Sequence, residues 1–218
     1  MTEKRWEKIF YAVVRGILAF VTATFWRAKV EGAEKIPSSG AFVLAPVHRS
    51  NVDFALVSTL TRRKMRFMGK HTLWKVAPFG KFISALGAFP VVRGTADRDS
   101  LKACISIVRS GYPLVIFPEG TRQSGPEVQP LFEGAAYIAS RTGVPVVPVG
   151  IGGSEQVMPK GSKMIRPARV SLVVGDPIYP EPVPEGGRAP RRSVHELTER
   201  LDKELQLLFD RATHLAHP

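Results

Sequence analysis

Ala41-Phe-Val-Leu-Ala-Pro-Val-His-Arg-Ser-Asn-Val-Asp53 decides the fold and carries chemistry beside it. Ala41–Val47 is a short, continuous apolar run that follows the turn signal Pro37-Ser38-Ser39-Gly40, the pattern of a strand buried on both faces. Similar runs recur at Ala88–Val92, Pro113–Phe117, Val144–Ile151 and Val170–Val174. Helix-like stretches lie between them at Val52–Leu60, Ser100–Arg109 and Gly134–Thr142. This alternation predicts an α/β fold with a mostly parallel central sheet flanked by helices. A last helix is expected from the capping box Ser193-Val-His-Glu196, with Val194, Leu197, Leu201, Leu205 and Leu208 on its apolar face. Pro180–Arg192, rich in Pro, Gly and Arg, reads as a surface loop.

The chain of 218 residues is 44% hydrophobic and 23% charged, an ordinary globular composition that excludes coiled-coil, collagen-like and disordered classes. Its net charge of +12 calls for an anionic partner: nucleic acid, an acidic membrane surface or a phosphorylated ligand. The charge is concentrated. From Phe54 to Ala96 there is no acid, while Arg62, Arg63, Lys64, Arg66, Lys70, Lys75, Lys81 and Arg93 supply +8, with Trp74, Phe79, Phe82 and Phe89 interleaved. Basic residues among aromatics suit a lipid head-group surface or a nucleic-acid strand. No groove-reading helix or nucleic-acid module is recognisable, so nucleic acid is not expected as a partner. The one cysteine, Cys104, excludes a disulfide within the chain. Leu101, Cys104, Ile105 and Val108 share one helical face, so it reads as a small buried residue.

Residues 1–30 read as a separate N-terminal element. Ile9–Val14 and Gly16–Trp26 are uncharged but divided by Arg15, and Lys4, Arg5, Lys8, Arg27 and Lys29 surround them. Eleven uninterrupted apolar residues fall short of the ~20 a spanning helix needs, and a charged centre does not suit a secretory signal. The pattern fits an amphipathic interfacial membrane helix whose basic side chains snorkel to head groups; a helix packed on the protein's own core is the alternative. Residues 31–218 form the remaining domain.

His48-Arg-Ser-Asn-Val-Asp53 follows the first buried run. With His48 on the strand-end turn and Asp53 in the first turn of the next helix, the carboxylate can fold back onto the imidazole. Such a pair makes a general base: the carboxylate fixes the tautomer and leaves the other ring nitrogen for a substrate hydroxyl. Read alone, the residues equally suit a helix-start Asp beside an unrelated His. Phe117-Pro-Glu-Gly-Thr-Arg122 follows another strand; its glycine permits close backbone approach to an anion and Arg122 can clamp a phosphate. Gly87-Ala-Phe-Pro-Val-Val-Arg93 places one more arginine after a strand. Gly-x-Ser-x-Gly, the P-loop, His-Glu-x-x-His and paired Cys-x2-Cys patterns are absent, leaving no metal-site spacing.

In this order the blocks resemble the glycerolipid acyltransferase family, the PlsC-like lysophosphatidic acid acyltransferases. The resemblance rests on a His-x4-Asp block at His48–Asp53, a Gly…Phe-Pro-Val-x-Arg block at Gly87–Arg93, a Phe-Pro-Glu-Gly-Thr-Arg block at Phe117–Arg122 and a Val-Pro-Val-Val-Pro-type strand at Val144–Val149. It spans Val30 to Val174. It implies transfer of an acyl chain from acyl-CoA or acyl-carrier protein to a glycerophosphate hydroxyl at a membrane surface. The family's commonest acceptor is 1-acyl-sn-glycerol 3-phosphate; glycerol 3-phosphate or another lipid or glycolipid is the alternative, and a non-catalytic anionic-lipid or nucleic-acid binding protein is the alternative of another class. The resemblance makes His48 and Asp53 the catalytic pair. It gives Arg93, Glu119, Gly120 and Arg122 to the acceptor site, with Lys70 in Gly69-Lys-His-Thr-Leu-Trp74 helping to hold phosphate. A thioester is activated enough for direct attack by a hydroxyl, so no enzyme nucleophile, metal or cofactor is expected beyond the acyl donor as co-substrate. Forty-seven residues precede His48, room for one long helix. The expected location is therefore peripheral, on the cytoplasmic face of the cell membrane.

Overall fold

The computed structural model describes residues 5–91, 98–162, 164–182 and 189–217. In chain order its elements are α1 (Arg5–Thr24), β1 (Lys29–Glu31), β2 (Val43–Pro46), α2 (Asp53–Ser58), β3 (Arg66–Lys70), α3 (Ala77–Ala85), β4 (Ala88–Val91), α4 (Arg98–Arg109), β5 (Leu114–Val115), α5 (Gly134–Thr142), β6 (Val146–Gly152), α6 (Ser154–Val157), β7 (Ser171–Val174) and α7 (Arg191–Ala216). The strands form one sheet in the order β1-β7-β6-β2-β5-β3-β4. β2 is central and wholly buried, as its apolar run requires. It pairs in parallel with β5, Leu44 opposite Val115, and with β6, Ala45 opposite Pro148. β3 and β4 continue the parallel set. Only β7, antiparallel to β6, and β1 beside it run the other way. The expected mostly parallel α/β sheet is present.

Strand order also disposes the helices. The path from β2 to β3 to β4 advances across the sheet, whereas β4 to β5 to β6 returns. Right-handed crossovers therefore place α2 and α3 on one face and α4 and α5 on the other. α1 packs with α2 and α3, and α7 joins α5 over β6 and β7. Glycines let α7 come close: a Cβ on Gly150 or Gly152 would lie 2.2 or 2.3 Å from the backbone of Leu208 or Ala212. Val194, Leu197, Leu201, Leu205 and Leu208 are buried as their spacing predicts. The capping box is not formed. α7 starts earlier, at Arg191, behind Pro190; Glu196 is taken by Arg192 at 2.7 Å, and the Ser193 hydroxyl donates to Glu181.

Arg15 does not snorkel outward. Its Nε donates to the carbonyl of Thr61 at 2.6 Å and its Nη2 to that of Thr59 at 2.8 Å, just past the end of α2, where helix carbonyls lack partners and a cation is favoured. The Tyr11 hydroxyl donates to the Arg63 carbonyl on the same side. The opposite face of α1 carries Trp6, Ile9, Val13, Ile17 and Phe20, all more than half exposed. No helix among the described residues is long and apolar enough to cross a membrane. Cys104 is buried with its Sγ 3.5 Å from the Met68 sulfur, and burial pushes its thiol pKa up to about 12.

Candidate active site

In an open α/β sheet, ligands bind beyond the carboxyl ends of the strands. Here β2, β5, β3 and β4 run in parallel, with Leu44, Val115, Phe67 and Ala88 side by side, so all four carboxyl ends point to one edge of the sheet. His48 lies two residues past β2, Phe117–Arg122 follows β5, and Lys70 closes β3. β3 is two strands from β2, about 10 Å. β4 ends at Val91, and Arg93 lies outside the described residues.

Asp53 opens α2 and is fully buried. Its Oδ2 accepts the backbone N–H groups of Arg49 and Ser50, both at 2.7 Å, and lies 2.9 Å from His48 Nδ1. Three contacts on one oxygen fix the carboxylate without side-chain freedom. An ionised carboxylate only accepts, so Nδ1–H of the neutral imidazole donates and Nε2 keeps its lone pair. The ring stacks on Phe117, with centroids 4.1 Å apart and planes 25° from parallel. That contact joins the β2 and β5 blocks.

A second contact joins them more firmly. Arg49 and Glu119 are 1% and 2% exposed. Arg49 Nη1 donates to both carboxylate oxygens, at 2.7 and 2.8 Å. The same carboxylate accepts the His48 N–H at 2.8 Å and the Gln129 N–H at 3.1 Å. Arg49 Nη2 donates to the Glu127 carbonyl at 3.0 Å, and the guanidinium lies 4.6 Å over the Phe209 ring of α7. The His48 carbonyl in turn accepts Gln123 N–H at 2.8 Å. Both backbone groups of His48 are thus held by the segment after β5. On α7, Asp202 has its carboxyl pKa raised, first by desolvation and then by the Glu119 charge.

Glu119 therefore faces inward, while Gly120 is exposed and Arg122 half-buried. Gly120 has φ +71°, and a Cβ there would sit 2.6 Å from the Phe132 ring, so this turn requires glycine. Among the described residues neither Arg122 nor Lys70 has an acidic partner, and Lys70 is exposed. Arg49 belongs to no motif of its own; its signal in the sequence is a carboxylate two residues after a buried apolar run, since a buried Glu119 needs a cation and Arg49 adjoins the histidine.

A histidine held by a fully buried aspartate just past the carboxyl end of a parallel strand is chemically able to accept a proton at its second ring nitrogen. Residues 27–152 match the family model described as Acyltransferase. A chloroplastic 1-acyl-sn-glycerol-3-phosphate acyltransferase of Brassica napus is 30% identical over 180 residues, 80% of this chain and 52% of the plant protein. The 1-acyl-sn-glycerol-3-phosphate acyltransferase of Bacillus subtilis is 30% identical over 152 residues, 69% of this chain and 73% of the bacterial protein. The crystal structure of the 1-acyl-sn-glycerophosphate acyltransferase PlsC of Thermotoga maritima aligns with a TM-score of 0.76 at 26% identity, over 95% of this chain and 83% of that one. The chain belongs to the PlsC-like acyltransferase family. It spans about half the length of the chloroplast relatives it matches.

Proposed function

We propose that the protein transfers a fatty acyl chain from a thioester, acyl-CoA or acyl-carrier protein, to the hydroxyl of 1-acyl-sn-glycerol 3-phosphate, forming phosphatidic acid. The observation that carries this reading is the 2.9 Å contact of His48 Nδ1 with a fully buried Asp53. Nε2 takes the acceptor's hydroxyl proton as that oxygen attacks the thioester carbonyl. The tetrahedral adduct then expels thiolate, which recovers the proton and leaves as thiol. A base positioned in this way contributes ~10²–10⁴ in rate. Asp53 keeps the tautomer and stabilises the transient imidazolium. Arg122, Lys70 and Arg93 bind the acceptor phosphate, which brings its hydroxyl to the imidazole. Glu119 acts as a positioning residue: it anchors the His48 backbone and leaves phosphate to the cations.

The acceptor is an amphiphile, and drawing its chain into water costs ~0.8 kcal/mol per CH₂. Work at a leaflet surface avoids most of that cost. The outward stripe of α1 supplies apolar insertion, and the acid-free basic stretch supplies attraction to anionic lipid on the cytoplasmic face, at ~1 kcal/mol per residue near the surface. The test is an assay of purified protein with acyl-CoA and acyl-carrier protein against monoacylated glycerol phosphate, glycerol 3-phosphate and phosphate-free monoacylglycerol, with products identified by mass spectrometry. Phosphatidic acid formed by the wild type and lost in His48→Ala is expected. Acylation of glycerol 3-phosphate alone would overturn the acceptor assignment.

A further inference from the structure

We infer that the segment Leu73–Phe82 is a second membrane-insertion element, distinct from α1, which seats the Lys70 end of the sheet at the head-group plane. The inference rests on the leaflet reading above and adds an element to it. After Lys70 the chain makes a 3-10 turn, His71–Lys75, and enters α3. Leu73, Val76, Phe79 and Phe82 recur every third residue and are 42%, 62%, 46% and 44% exposed.

Their exposure is not slack packing. Trp74, the largest apolar side chain here, is used internally. Its ring occupies space left by Gly69 and Gly80, where a Cβ would come within 2.8 Å of it, and its Nε1–H donates to Ser84 Oγ at 2.9 Å. The turn and α3 are thus pinned together by Trp74, with four apolar residues left outside. Phe10 of α1 meets Phe82 edge to face at 5.9 Å, which makes this patch continuous with the α1 stripe. Exposed apolar residues gathered in this way, beyond the scattered ones of an ordinary surface, mark an interaction site.

Charge selects the occupant. Lys70, Lys75 and Lys81 flank the patch and are exposed, and no acid occurs from Phe54 to Ala96. An apolar centre bordered at the turn and α3 by lysines matches an anionic bilayer, where chains accept the aromatics and head groups the ammonium groups. Lys70, in the cationic border, is also proposed to bind the acceptor phosphate. The acceptor can therefore keep its head group at lipid depth while reaching the sheet edge.

The test places a thiol-reactive, environment-sensitive fluorophore at Phe79→Cys in the full chain. Cys104 is buried, so the label goes to position 79. Leu207→Cys on the exposed side of α7 is the control. Both proteins are bound to phosphatidylcholine–phosphatidylglycerol vesicles whose acyl chains are brominated. Quenching several-fold greater at 79 than at 207 is expected. The unlabelled V76D/F79D variant should partition at least tenfold more weakly than wild type in co-sedimentation. A vesicle-bound protein whose position 79 is unquenched overturns this inference and leaves the leaflet reading standing. Wild-type protein that stays in the supernatant at low salt overturns both.

Discussion

Replacing Glu119 by glutamine separates a positioning carboxylate from one that binds acceptor. In the folded protein each oxygen accepts twice: Oε2 from His48 N–H and Arg49 Nη1, Oε1 from Gln129 N–H and Arg49 Nη1. Glutamine preserves the shape but turns one oxygen into a donor that faces donors. Two charge-assisted bonds are lost, at ~1.5–3 kcal/mol each, and Arg49 is left buried without a counter-charge. Unpairing one side of a buried ion pair costs about 3–5 kcal/mol by itself. The two routes agree, so Glu119→Gln should lose about 3–5 kcal/mol of stability, a shift of the urea midpoint at unchanged slope. At a temperature where the variant remains folded, kcat should fall at least tenfold, since the His48 backbone has lost its anchor, while KM for the phosphorylated acceptor holds. The double replacement Arg49→Met with Glu119→Leu should regain stability relative to either single change without regaining kcat. A Glu119→Gln protein within about 1 kcal/mol of wild type, with raised acceptor KM and intact kcat, would place the carboxylate on the acceptor and refute the reasoning.

His48→Ala should lower kcat by ~10²–10⁴ with the denaturation midpoint little changed, and a folded variant keeping more than about a tenth of wild-type kcat would exclude the general base. Arg122→Ala should cost at least about tenfold in kcat/KM for a phosphate-bearing acceptor and far less for monoacylglycerol; equal losses would exclude a phosphate contact. Asp202 binds its proton more tightly folded than unfolded, so its contribution is fully present below its ordinary value of 3.8 and is lost as pH rises through the raised folded value. Asp202→Asn should therefore be more stable than wild type at neutral pH, with the gain vanishing in acid, as urea midpoints across pH will show; a neutral-pH loss contradicts it. Gly150→Ala should cost ~1–3 kcal/mol or more by forcing α7 off β6, whereas Gly16→Ala, with nothing within 4 Å of its Cβ, should be neutral or stabilising; equal melting temperatures would deny the close approach.

Burial made most of the sheet legible in advance. β2, β5, β6 and β7 lie within runs of apolar residues that are buried on both faces, and α5 spans Gly134–Thr142 as its periodicity predicts. β3 was hidden because Arg66 and Lys70 cap a strand whose residues are only half buried, so it looked like part of the basic stretch. β1 is three residues at a sheet edge, too short to show alternation. The His48–Asp53 contact could be anticipated from five-residue spacing at a strand-to-helix turn. The Arg49–Glu119 tie could not: its partners are 70 positions apart, and neighbour preferences say nothing about which strands end side by side.

The order of strands has a consequence for synthesis of the chain. β2 lies between β5 and β6, both made well after it, and the acceptor for the His48 N–H stands 71 positions downstream. A nascent chain interrupted before Leu114 would carry both His48 and Asp53 yet have no segment to hold the histidine backbone. Its most apolar strand would also stand with two open edges, an invitation to pair with a neighbouring chain. Such non-local pairing is slow to form, so the acid–base centre is born late, and a truncated product is an aggregation hazard before it is ever a catalyst.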